Sequence, residues 1–177
     1  GGTPVRTAPF PAWPVIDNEE IELITEVTKS GKWWRGAYNK DELGSTKVQG
    51  YSKVEKFEEK FAKLHKAKYA VATSTGSGAL DIAIKAAGIG PGDEVIVPAF
   101  TFVATATCVL HNNAVPIFVD IDPATYNIDP VEIEKAITKR TKAIIPVHFS
   151  GNIADMDSIL KIAEKYNLIV IEDAAHA

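Results

Sequence analysis

Residues 167–177 read Asn-Leu-Ile-Val-Ile-Glu-Asp-Ala-Ala-His-Ala. A short run of branched aliphatic residues bounded by polar ones predicts a strand that is buried on both faces, as in parallel sheets covered by helices. The run stops at Asp173, and burying a carboxylate at a strand end is unfavourable unless a cation or hydrogen-bond donors meet it. Because open α/β sheets bind ligands at the carboxyl ends of their strands, we expect Asp173 to have a partner there.

The composition excludes several classes of protein. The chain of 177 residues is 46% hydrophobic and 24% charged, which is ordinary for a soluble domain with a core of its own. A formal net charge of −4 argues against nucleic acid as the main partner. The single cysteine, Cys108, excludes a disulfide within the chain and suits a small buried hydrophobe. No apolar run is long enough to span a bilayer and the first residues lack the core of a signal peptide, so we expect no membrane partner and a cytoplasmic location.

Residues 1–51 are predicted to form an arm, a helix and an aromatic loop. Prolines recur through residues 1–16 and indicate an extended arm. A capping box at Asp17 and Glu20 opens a helix predicted over residues 18–29.

The aromatic loop, residues 32–51, is interrupted by glycines and carries Trp33, Trp34 and Arg35. A loop of this length inside a compact domain is typical of a functional segment, so these three residues are candidate substrate contacts. Tryptophans that only anchor the loop on the body of the protein explain the pattern equally well.

From Ser52 onward, helices and strands are predicted to alternate. A second capping box, Ser52 with Glu55, opens a helix with an apolar stripe that we expect to be buried: Val54, Phe57, Phe61 and Leu64. The pattern then predicts strands at residues 69–73, 94–98, 115–120 and 142–147, and helices at 79–87, 102–111, 130–138 and 156–166.

This regular alternation predicts an α/β fold in which a mainly parallel sheet is flanked by helices. Residues 52–177 would be the first part of that domain. A sheet begun here would have no covering helix after its closing strand, so we expect the chain to be a fragment of a larger protein.

The turn Ser74-Thr75-Gly76-Ser77-Gly78 is a candidate anion site. It places small residues and hydroxyls where a helix begins after a predicted strand, and free backbone N–H groups at a helix N-terminus attract phosphate. A tight turn without a ligand is the structural alternative. A dinucleotide fingerprint fits poorly because its third glycine position is Asp81, and no Gly-Lys-Ser/Thr follows as a Walker motif requires.

Two aromatic residues, Phe100 and Phe102, follow the next predicted strand and would suit stacking on a flat ring, or simple core packing. Histidines and aspartates at other strand ends lack the close spacing of metal ligands, so we assign no metal site. A phosphate-sized anion site, an aromatic residue and a buried acid at one sheet edge together suit pyridoxal 5'-phosphate, whose ring nitrogen a carboxylate keeps protonated.

Several ordered motifs support this interpretation. They are Gly76-Ser77-Gly78-Ala79-Leu80, the run from Gly88 to Pro98, Thr101-Phe102-Val103-Ala104-Thr105, Pro116–Asp120, Pro146-Val147-His148, Ala154–Asp157 and Glu172-Asp173-Ala174-Ala175-His176. In this order they resemble the DegT/DnrJ/EryC1/StrS family of aminotransferases that use pyridoxal 5'-phosphate and have fold type I. The resemblance covers nearly the whole chain, which looks like the N-terminal half of a member, with the small C-terminal domain absent.

The resemblance implies a role for each matching residue. Ser77 and Gly78 would hold the cofactor phosphate, Phe102 would stack on the pyridine ring, Asp173 would pair with its nitrogen, and His176 would lie near its phenolic oxygen. Where the family usually has Gly-Thr-Ala, this chain has Gly76-Ser77-Gly78. The Schiff-base lysine of the family lies downstream of the Glu-Asp-Ala-Ala motif, beyond Ala177, so no catalytic lysine is assigned here.

The activity that the resemblance implies is ping-pong transfer of an amino group from glutamate or glutamine to a keto-sugar, commonly nucleotide-linked, in amino-sugar, antibiotic or surface-polysaccharide biosynthesis. Members act as homodimers with shared active sites. Three alternatives stay open: an aminotransferase of a carbocyclic ketone of the inosose or aminodehydroquinate type, a dehydratase of keto-sugars that uses the same cofactor, and a non-catalytic half-protein module.

Overall fold

The computed structural model describes residues 2–33 and 52–177 of the chain. These residues divide between two compact units, residues 2–33 with 52–72 (the N-terminal unit) and residues 73–177 (the sheet unit). The predicted aromatic loop lies outside the described residues from position 34 to position 51. The division of function between residues 1–51 and 52–177 stays a prediction.

Two capped helices supply the regular structure of the N-terminal unit, α1 (Asn18–Ser30) and α2 (Lys53–Leu64). Each begins with the predicted capping box, in which the N-cap side chain and the glutamate three residues later bond to each other's backbone N–H groups. An ion pair of 2.6 Å between Lys53 and Glu26 joins the two helices. The sequence therefore predicted where both helices begin, and it predicted the end of α1 to within one residue, because capping is local chemistry.

The expected burial of the apolar stripe on α2 is wrong. The four residues of the stripe are exposed by 40% to 75% of their surface: Val54, Phe57, Phe61 and Leu64. The buried residue of α2 is Glu58, whose carboxylate accepts the backbone N–H of Ala72 at 3.0 Å. Helical spacing shows that a face can be covered, but coverage needs a partner element, and the described part of the N-terminal unit supplies none for this face.

The sheet unit is built on four parallel strands: β1 (Glu94–Pro98), β2 (Val115–Val119), β3 (Thr141–Ile144) and β4 (Ile169–Val170). Their order in the sheet is β2-β1-β3-β4, so β1 and β3 are central. The register pairs Val95 with Pro116 on one side and with Ala143 on the other. The predicted parallel sheet is confirmed, and β1 has the predicted bounds.

Helices cover both faces of this sheet: α3 (Gly76–Ala86), α4 (Ala104–His111), α5 (Pro130–Ala136) and α6 (Met156–Tyr166). Successive residues of a strand point to opposite faces. Val95 and Val97 accordingly belong to a buried cluster with residues of α3 and α4, whereas Ile96 belongs to a second cluster with residues of α5 and α6. The predicted α/β architecture of a sheet between helical layers is confirmed.

Two predictions for residues 69–87 are wrong. Residues 69–73 form no strand, because no described strand lies beside them to complete a ladder, and Tyr69 and Val71 are largely exposed. Helix α3 begins at Gly76 and not at residue 79, since the Thr75 side chain caps it three residues earlier. The predicted glycine turn is therefore the first turn of the helix.

Candidate active site

Asp173 sits at the carboxyl edge of the sheet, held by the backbone of the neighbouring strand. Its N–H donates to the carbonyl of Pro146 at 2.9 Å, and its carbonyl accepts the N–H of His148 at 3.2 Å. These bonds continue the parallel pairing of β3 and β4 beyond the ends of both strands. The side chain is only 8% exposed, so its carboxylate is fixed in a buried position at the ligand-binding edge.

The expected partner of Asp173 is a hydroxyl and not a cation. Thr105 Oγ1 donates to Asp173 Oδ2 at 2.8 Å, and the backbone N–H of Ala175 donates to Asp173 Oδ1 at 3.3 Å. Among residues 2–33 and 52–177, no lysine or arginine forms an ion pair with Asp173. A buried carboxylate that has no counter-ion among the described residues is suited to receive a cationic group from a ligand.

A second hydroxyl extends this contact. Thr101 Oγ1 lies 2.8 Å from Thr105 Oγ1, which is fully buried. Neither threonine was a predicted site residue. Their spacing of four residues at a helix start was visible in the sequence, but the partner of Thr105 lies 68 residues away along the chain, so its contact was not.

The predicted anion site is the first turn of α3. Thr75 Oγ1 accepts the N–H of Gly78 at 3.0 Å, which leaves the N–H groups of Gly76 and Ser77 without a bond to any described residue. Ser77 is exposed, and a Cβ added to Gly78 would lie 3.4 Å from Thr75 Oγ1. Free N–H groups, an exposed hydroxyl and small side chains are what a phosphate requires at a helix start.

The two candidate stacking residues differ in their surroundings. Phe100 packs in an aromatic cluster, with its ring centroid 4.9 Å from that of Phe149 and 5.8 Å from that of Tyr126. Phe102 precedes α4, is 68% exposed, and has no ring contact within the described parts of the chain. Phe102 is therefore the phenylalanine whose face is open to a ligand.

The two histidines at this edge have different partners. His176 is exposed; its Nδ1 accepts the N–H of Ser150 at 3.3 Å, and its ring meets Phe149 edge-on. His148 is buried; its Nδ1 accepts the N–H of Ala154 at 3.3 Å, so Nε2 carries the proton and donates to Glu172 at 3.0 Å. His148 thus ties the residue before Asp173 to the loop before α6, a role that the sequence did not reveal.

The three candidate substrate contacts stay predictions. Trp33 belongs to the N-terminal unit and is 64% exposed, whereas Trp34 and Arg35 fall outside the described residues. Cys108 is buried as predicted, and burial raises the pKa of its thiol to about 11. No three His, Cys, Asp or Glu side chains of the described residues cluster as a metal site would require. None of the described helices has the length and hydropathy needed to cross a bilayer.

Comparison with known proteins decides the family. The DegT/DnrJ/EryC1/StrS aminotransferase family matches residues 14–177. The chain belongs to this family. The match includes every residue of the carboxyl edge described above, so the resemblance recognised from the motifs is confirmed.

Two curated relatives illustrate the range of the DegT/DnrJ/EryC1/StrS family. The chain is 48% identical to the spore coat polysaccharide biosynthesis protein SpsC of Bacillus subtilis, over 93% of this chain and 38% of SpsC. It is 41% identical to the L-glutamine:2-deoxy-scyllo-inosose aminotransferase of Micromonospora echinospora, over 100% of this chain and 40% of that enzyme. The chain therefore spans about 40% of the length of these relatives.

Solved structures agree with the fold. The crystal structure of 3-amino-5-hydroxybenzoic acid synthase superimposes with a TM-score of 0.84 at 41% identity, over 96% of this chain and 41% of that protein. NtdA from Bacillus subtilis, solved with bound pyridoxamine phosphate, superimposes with a TM-score of 0.75 at 42% identity, over 90% of this chain and 34% of that protein. The predicted fold type of the large domain in this family is thereby confirmed.

Proposed function

We propose that this chain provides the cofactor-binding part of an aminotransferase that uses pyridoxal 5'-phosphate. The observation that carries the proposal is the buried carboxylate of Asp173, which faces the ligand edge of a parallel sheet with hydroxyl and amide donors but no counter-ion among the described residues. The family membership and the cofactor-bound relative NtdA support it.

The residues present fit this cofactor. Asp173 supplies the acceptor for a protonated ring nitrogen, and the α3 start at Ser77 and Gly78 supplies N–H groups and a hydroxyl for a phosphate. Phe102 supplies an open aromatic face, and His176 supplies a ring nitrogen near the same edge. The cofactor needs three contacts: hydrogen-bond donors for its phosphate, an aromatic face for its ring, and a carboxylate for its ring nitrogen.

Each of these residues has one task in the proposed reaction. Pyridoxal 5'-phosphate, when bound, supplies an electron sink that stabilises negative charge on the amino-acid carbon. Asp173 keeps a proton on the ring nitrogen and so maintains that sink. Ser77 and Gly78 would anchor the phosphate, Phe102 would exclude water from one face of the ring, and His176 would lie near its phenolic oxygen. We assign no catalytic lysine within this chain.

The proposed reaction moves an amino group from glutamine or glutamate to a keto-sugar, as expected for a relative of a polysaccharide biosynthesis protein. A carbocyclic ketone is the second candidate substrate, because all of this chain matches part of the L-glutamine:2-deoxy-scyllo-inosose aminotransferase. Trp33, Trp34 and Arg35 are the proposed substrate contacts. A homodimer with shared active sites and a cytoplasmic location belong to the same proposal, and light scattering after gel filtration tests the dimer.

The test is cofactor binding by the polypeptide that contains this sequence, with Asp173→Asn as the variant and Asp157→Asn as the matched control on the exposed face of α6. We expect Asp173→Asn to weaken binding of pyridoxal 5'-phosphate by about tenfold or more, since an amide cannot neutralise a pyridinium. The control should bind like the parent. Unchanged affinity in Asp173→Asn would contradict the proposal.

The substrate class is tested separately. The parent protein is incubated with cofactor, glutamine or glutamate, and either a nucleotide-linked keto-sugar or a keto-cyclitol, and the products are identified by mass spectrometry. An amine product identifies the preferred ketone. A keto-sugar that has lost water and gained no nitrogen would show a dehydratase, and no reaction with a bound cofactor would favour the non-catalytic module.

A further inference from the structure

We propose that Thr105 is a positioning residue for the cofactor ring, with Thr101 as its support. The proposal rests on the function proposed above. In it, the Thr105 side chain holds one oxygen of the Asp173 carboxylate and so fixes the direction in which the other oxygen, Oδ1, meets the ring nitrogen. No catalytic contact of either threonine with the cofactor is implied.

The direction of the hydrogen bonds follows from the chemistry of the three groups. An ionised carboxylate only accepts hydrogen bonds, so the Thr105 hydroxyl must donate its single proton to Asp173 Oδ2 at 2.8 Å. Thr105 Oγ1 can then only accept from Thr101, whose hydroxyl lies 2.8 Å away. The three groups form a chain of donors that ends on the carboxylate.

The two oxygens of Asp173 are held unequally. Oδ2 has the short bond from a fully buried hydroxyl, whereas Oδ1 has one backbone N–H, from Ala175, at 3.3 Å. Charge-assisted hydrogen bonds strengthen as they shorten, and burial removes competition from water. Oδ2 is therefore the anchored oxygen, and Oδ1 is the one left available to a stronger donor.

Thr105 also connects Asp173 to the proposed stacking residue. Its backbone N–H donates to the carbonyl of Phe102 at 3.1 Å. This bond closes the turn that leads into α4, whose N-cap residue makes no side-chain hydrogen bond. Thr105 thus holds the Asp173 carboxylate through its side chain and Phe102 through its backbone. It would therefore set where the carboxylate at the edge of a bound ring lies relative to the phenylalanine on its face.

A purely structural role for Thr105 makes a different prediction, which the choice of ligand separates. The probes are pyridoxal 5'-phosphate and its 1-deaza analogue, in which carbon replaces the ring nitrogen. A residue that acts through Asp173 affects only the ligand that carries the nitrogen. A residue that merely supports the fold affects both ligands equally.

The experiment measures dissociation constants of both ligands, by fluorescence titration of the polypeptide that contains this sequence, for the parent, Thr105→Val and Thr105→Ser. Valine keeps the shape of threonine without the hydroxyl, and serine keeps the hydroxyl. We expect Thr105→Val to weaken binding of pyridoxal 5'-phosphate about tenfold and to leave the analogue within twofold of the parent, because a charge-assisted bond is lost. Thr105→Ser should restore the parent's preference.

Two results would overturn the inference. One is a preference for pyridoxal 5'-phosphate over the analogue that is the same in Thr105→Val as in the parent, which includes equal weakening of both ligands. The other is failure of serine to rescue. If Thr105→Val does not fold, Thr101→Val takes its place, with an expected selective loss of about threefold because only the supporting donor is removed. A parent that binds both ligands equally would instead refute the pairing of Asp173 with the ring nitrogen, which distinguishes failure of the proposed function from failure of this inference.

Discussion

The two hydrogen bonds of His148 have different energetic weights, and paired substitutions can separate them. Nδ1 accepts the N–H of Ala154, which is 3% exposed, whereas Nε2 donates to Glu172, whose side chain is 54% exposed. Losing the acceptor for a buried N–H costs about 1–3 kcal/mol. Losing a contact with an exposed carboxylate costs about 0–1 kcal/mol, because water and salt screen it.

Asparagine and glutamine each preserve one of these bonds. The side-chain oxygen of asparagine reaches the position of Nδ1, and the amide of glutamine reaches that of Nε2. We expect both variants to have a lower free energy of unfolding than the parent, with His148→Asn about 1 kcal/mol more stable than His148→Gln. The reason is that asparagine keeps the buried bond at 3.3 Å, which outweighs the exposed bond at 3.0 Å.

Urea titration at constant pH, followed by circular dichroism, measures the difference between these two variants. The slope of the unfolding free energy against urea concentration must be the same for the variants, so that a shift in midpoint reports a change in stability. A result in which His148→Gln is as stable as His148→Asn would refute the assignment of the proton to Nε2 and the larger weight given to the Ala154 contact. Glu172→Gln, which touches only the exposed bond, should be close to the parent.

Two further predictions concern the sheet unit. The hydrogen bond from the Thr138 hydroxyl lowers the pKa of Glu94 below its ordinary value of 4.5. The ionised carboxylate therefore stabilises the fold above pH 4.5, and this contribution is lost as the pH falls through the lower pKa of the folded state. Glu94→Gln should flatten this part of the dependence of the unfolding free energy on pH. Gly151 has a φ of +81°, and an added Cβ would lie 3.2 Å from the His176 carbonyl oxygen, so Gly151→Ala should cost about 1–2 kcal/mol. Gly90→Ala, with open space at its Cβ, is the control, and equal urea midpoints for the two alanine variants would contradict the strain.

Local signals in the sequence were sufficient for most of the elements. Helix α6 has the predicted bounds, Met156–Tyr166, because an N-cap at Asp155 and an apolar period of 3.6 specify it without help from other segments. Strand β1 also has its predicted bounds, and all five of its residues are buried, the four after Glu94 being apolar as expected of a strand between helical layers.

Predictions that depended on distant partners were the ones that failed. Residues 69–73 have the composition of a strand, but a strand exists only where a neighbour accepts and donates ladder hydrogen bonds. The stripe on α2 has the spacing of a buried face, but spacing does not supply the covering element. In both cases the local preference was read correctly and the tertiary partner was missing from the described residues.

Neighbouring residues carry the periodicity, the capping and the ordered motifs. These were enough to predict the family, the parallel α/β sheet and the position of Asp173 at its carboxyl edge. The groups that meet the Asp173 carboxylate became known from the folded chain. Thr105 lies 68 residues before Asp173, and His148 lies 24 residues before Glu172. Chain folding sets such distances, since hydrogen bonds require atoms within about 3 Å and local spacing carries no information about segments so far apart.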